Sequence, residues 1–171
     1  MSNEAEYSYF VKRLRDEIEN GQSRRHDFCV KKLAFTTGLL GIGSLGVPFK
    51  ADHIDLTSLL WLVPVVSLAF DLYIVSEDYG VKRAGAFLGK LNSGAAESER
   101  IWESEFVHEK NNKFAPFAFF IVSIVLWGGA AMLLLQSHVR YFFIIIWSIV
   151  IFLTEIGLLV YSLQLRSNLK E

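Results

Sequence analysis

Residues 114–135 read FAPFAFFIVSIVLWGGAAMLLL, and residues 141–163 read YFFIIIWSIVIFLTEIGLLVYSL. The first stretch has no charged side chain and the second has one, Glu155. A helix needs roughly 20 apolar residues to cross a hydrocarbon core, and both stretches meet that length. Two further apolar tracts lie upstream, at residues 33–49 and 56–76. The latter carries one charge, Asp71, and the former is short and rich in glycine. Lys31 and Lys32 border the short tract, where long basic side chains can reach the interface.

The composition agrees with these tracts. Hydrophobic residues make up 52% of the 171, with 14 phenylalanines and four tryptophans, and only 20% are charged. That balance excludes a disordered chain and a basic nucleic-acid binder. The formal net charge of −1 implies no bulk attraction to anionic partners. A single cysteine, Cys29, excludes a disulfide scaffold. The first thirty residues mix both charge signs and show no apolar core or small-residue cleavage site of a signal peptide.

The expected fold is all-α: a polytopic membrane protein with four transmembrane helices in two hairpins, plus amphipathic cytoplasmic helices. Residues 50–55 and 136–140 are short enough to be tight turns within the hairpins. The expected divisions are 1–32, an N-terminal amphipathic helix; 33–76, the first hairpin; 77–113, a helical segment; 114–163, the second hairpin; and 164–171, a tail. Of the 17 Lys and Arg residues, all but Lys50 and Arg140 lie in the N-terminal, central and C-terminal segments. The positive-inside bias then places both termini in the cytoplasm, in a bacterial inner membrane.

The extramembrane segments show helical periodicity. Tyr7, Phe10, Val11, Leu14 and Ile18 recur at helical spacing. Asn3 and Glu6 have the form of a capping box, and Gly21 is the expected end of that helix. Ala84, Phe87, Leu88 and Leu91 form a second stripe, and Ile101, Trp102 and Phe106 a third, beyond a break at Asn92, Ser93 and Gly94. Such faces need a covering, and three of them on one side predict a helical layer; the alternative for the N-terminal helix is to lie flat in the membrane interface.

Asp71 and Glu155 are the candidate functional acids. Ionisable groups within a span are costly and usually face the bundle interior or a cavity. Each lies about 21–23 Å from the outer end of its helix at 1.5 Å per residue, so the two share a depth. Thr57, Pro64 and Ser67 share a face with Asp71, and Ser148 and Ser162 flank Glu155 at seven-residue intervals. One reading is an ion or proton route. The other is that each acid pairs with a base such as Lys32, Arg83 or Lys113, or stays protonated.

Small residues form two further seams. Thr37, Gly41, Ser44 and Pro48 share a face of the first span, and Gly128, Gly129, Ala130 and Ala131 run together in the third. Small side chains let helix backbones approach closely, either within one chain or between copies.

Other patterns carry less. Gly41, Gly43 and Gly46 match G-x-G-x-x-G, but no strand precedes them, so a nucleotide site is not expected. His26 with Cys29, and Asp52 with His53 and Asp55, lack a closed metal-ligand set. No cofactor and no metal are expected. The spans hold serines but no histidine, so nothing supplies a base for a nucleophile, and an enzyme is not expected. The glutamates at 97, 99, 103, 105 and 109 read as a solvated face, or as an acidic surface for a partner.

The general plan resembles small bacterial four-span membrane sensors or effectors that act beside a soluble protein; the likeness is one of architecture. The expected partners are the lipid bilayer, further copies of the chain and a cytoplasmic protein, with no direct contact to nucleic acid. Gly41, Ser44, Gly128, Gly129, Phe87, Leu91, Trp102 and Phe106 are the expected oligomer or partner contacts. The alternative is a small channel or transporter using Asp71 and Glu155.

Overall fold

In the computed structural model, the structure describes residues 3–46, 56–90, 114–137 and 140–168. These form four α-helices and no strand: α1 (Asn3–Leu45), α2 (Ser58–Lys90), α3 (Phe114–Gln136) and α4 (Tyr141–Asn168). Leu91, Trp102, Phe106, Pro48, the acidic run at 97–109 and the connection at 50–55 lie outside the described residues.

Among the described residues, three helical segments are long and apolar enough to cross a membrane: Ser8–Leu45, Ser58–Leu88 and Tyr141–Leu165. α3 is 23 residues long and carries no charged side chain. Many large apolar side chains face outward. On α4 alone, Phe142, Phe143, Ile145, Ile149, Val150 and Leu153 are all exposed. In water such a surface would be unstable; against lipid tails it costs nothing.

Gly21 corrects one expectation: it does not end a helix. Residues 3–45 are one helix that runs straight through it. A Cβ on Gly21 would lie 2.6 Å from Cγ2 of Val81 on α2. Glycine is used here for close approach, and packing on α2 offsets its poor helix propensity. Likewise α2 continues without interruption from its apolar part into Asp78, Lys82 and Phe87.

α1 and α2 lie antiparallel along their length. As positions rise on α1 they fall on α2: Phe10 meets Phe87, Arg24 meets Glu77, and Phe28 stacks on Tyr73. Lys32 then meets Asp71, and Gly43 meets Leu60. Inward positions on α1 recur every three or four residues, among them Leu14, Ile18, Gly21, Arg25, Lys32 and Thr36, the period of one helix face. α3 and α4 touch each other far less than α1 and α2 do. Two small apolar clusters join the pair to the rest: Leu60 with Leu134 and Ile144, and Val63 with Leu126 and Ala130. Trp61 and Trp147 meet edge to face, with ring centroids 4.9 Å apart.

Candidate functional site

The two candidate acids have different surroundings. Asp71 is paired. Lys32 Nζ donates to both its carboxylate oxygens at 2.7 Å, and the two side chains are 2% and 3% exposed. Ser123 on α3 closes the cluster: its hydroxyl donates to Asp71 Oδ2 at 2.7 Å and accepts from Lys32 Nζ. It also accepts from Ser67 at 3.2 Å. Three helices therefore meet at one buried polar knot. Thr36, one turn beyond Lys32 and fully buried, donates back to the Lys32 carbonyl, which disposes of its hydroxyl within the helix.

The charges in this knot cancel. A buried ion pair repays its desolvation only when further hydrogen bonds complete it, and here Ser123 contributes to both partners. Removing one member would leave the other charge uncompensated in a low-dielectric interior.

Glu155 differs. It is 7% exposed, and its Oε2 is buried without a hydrogen-bond partner among the described residues. It lines a cavity of about 160 Å³ between α2, α3 and α4. Ser67, Ser123, Trp127, Phe120 and Phe152 also line it. The indole Nε1 of Trp127 is the other buried polar side-chain atom without a partner among the described residues. The two residues that carry these atoms, an acid and an indole, thus line the same largely apolar space. Buried polar groups are nearly always bonded, so this pairing of orphans stands apart from the satisfied knot beside it.

The remaining expected residues fall as follows. Pro64, Ser67 and Asp71 are buried on one face of α2. Ser162 is buried and donates to the Leu159 carbonyl at 2.9 Å; Ser148 is half-buried on the Glu155 face of α4. Gly41, Gly128 and Gly129 border open space, since a Cβ on any of them would meet nothing within 4 Å. Ser44 bonds the Gly41 carbonyl, and Thr37 is exposed. By contrast Ala130 is fully buried against Val63 and Leu126. Phe87 is half-exposed and rests edge-on against Phe10.

Ser123 and Trp127 were not singled out from the sequence. Each had a signal: Ser123 is the one hydroxyl in residues 114–135, and Trp127 the one tryptophan there. Among the described residues no three potential metal ligands cluster.

The chain matches no protein-family model, no curated protein and no solved structure.

Proposed function

We propose that the chain is an integral protein of a bacterial inner membrane that self-assembles and docks a cytoplasmic protein, acting as a membrane sensor or effector. In this reading it crosses four times in two hairpins and keeps both termini in the cytoplasm. Gly41, Ser44, Gly128 and Gly129 make contacts between copies within the membrane. Phe87, Leu91, Trp102 and Phe106 make contacts on the cytoplasmic side.

The observation that carries the reading is the open space at Gly41, Gly128 and Gly129. Lipid supplies no hydrophobic drive for helix association, so close backbone packing has to supply it. These positions permit such an approach, and no described residue of the same chain uses it. The pairing of Asp71 with Lys32 also favours this reading over a channel or transporter through both acids, because a charge locked to its counter-charge is a poor relay.

The test is the mass of the purified chain in mild detergent at several protein concentrations. The expected result is a multiple of the chain mass for wild type, reduced by Gly129→Leu and by Trp102→Ala. A monomeric mass throughout would overturn it.

A further inference from the structure

The cavity bordered by Glu155 and Trp127 offers an acid, an N–H donor, aromatic faces and aliphatic walls. Among the described residues no lysine or arginine lines it. The cation that shares its depth, Lys32, is committed to Asp71. The geometry points to a binding site for a small lipophilic ammonium, its N–H donating to the Glu155 carboxylate and its apolar body lying among Phe120, Phe152 and Ile151. This site goes beyond the proposed assembly and does not rest on it.

Each feature selects against another ligand class. A carboxylate in an apolar wall repels anions. A neutral hydrocarbon would fill the space and leave both Glu155 and Trp127 without partners, which is unfavourable. An ammonium supplies the missing charge and donor together, and charge-assisted hydrogen bonds are the stronger kind. The rings of Phe120, Trp127 and Phe152 offer π-faces, which attract cations when water is excluded.

Size and access agree. A cavity of about 150 Å³ accepts a benzene-sized molecule, so about 160 Å³ suits one ring, with a short arm extending along the opening. It also exceeds the space of a single water bridging two polar groups. Ile121, Ile124, Phe152 and Ile156 on its rim are 42% to 60% exposed. The opening therefore faces the apolar exterior, where an amphiphilic amine partitions before entering.

The experiment is equilibrium binding of labelled phenethylamine to the full chain in mild detergent. The expected result is saturable binding at one site per chain. Phenethyl alcohol, which has the same ring and no charge, should compete about tenfold or more less well, the equivalent of one lost charge-assisted contact. Glu155→Gln should weaken amine binding by about as much, and Trp127→Phe should leave amine binding within a few-fold because the ring remains. Ile124→Trp, which fills the cavity from its rim, should block both compounds. Non-saturable partitioning, or equal competition by the alcohol on the wild-type chain, would overturn the site whether or not any variant folds. Undiminished binding by a well-folded Glu155→Gln chain would overturn it as well. A monomeric chain that binds the amine would sink the assembly and leave this site standing.

Discussion

The α1–α2 pair and the α3–α4 pair solve the problem of burying polar groups in apolar surroundings differently. Along α1–α2 the polar groups are matched across the seam: Lys32 with Asp71 where it is buried, and Arg24 with Glu77 and Arg25 with Asp78 where it is part-exposed. Glycines at 21, 43 and 46 bring the two backbones close. Between α3 and α4 the contact is sparse, the glycines border open space, and Glu155 and Trp127 keep unbonded atoms beside a cavity. One half is a matched scaffold. The other is unfinished within a single chain, and that is where a ligand or a second copy has room.

The largest expected effect is at Lys32. Lys32→Met leaves Asp71 buried without its counter-charge and should cost about 3–5 kcal/mol. Lys32→Met combined with Asp71→Leu should recover most of that loss, because the penalty lies in the stranded charge. Thermal or denaturant unfolding in detergent measures both. A single mutant as stable as wild type would mean that the seam is not held by this pair.

Glu155 should respond with the opposite sign. Replacing it with methionine removes an unsatisfied buried acid and should stabilise the chain by about 1–3 kcal/mol. The same unfolding assay applies. A destabilised Glu155→Met would show that the acid has a structural partner in solution, and the contrast between the two halves would fail.

The smallest effect separates two glycines. Gly157→Ala on α4 meets nothing within 4 Å and should gain about 0.5–1 kcal/mol from helix propensity. Gly46→Ala would put its Cβ 2.8 Å from the backbone nitrogen of Thr57. A backbone atom cannot rotate away, so this change should destabilise. If both substitutions shift the melting temperature in the same direction, close approach is not what holds α1 to α2.

Much of the fold was legible in the residues. The unbroken apolar runs at 114–135 and 141–163 leave the backbone no internal partners except those of a helix. The stripe of Phe10, Leu14 and Ile18 marked a helix face. Gly21 misled because a glycine after a charged helix has the same local signature whether it ends the helix or seats it against a neighbour. Its neighbour, Val81, is remote in sequence.

The candidate site was only half legible. Asp71 and Glu155 stood out alike, as single acids in apolar runs at matching depth. Composition and periodicity alone determined the helices, the apolar character of the spans and the positions of the two acids, because those properties are local. Only the tertiary structure decided that Lys32 and Ser123 close on Asp71 while Glu155 is left beside a cavity. Hydrogen bonds act over about 3 Å, and the residues that satisfy Asp71 come from two other helices, a relation that no spacing along the chain encodes.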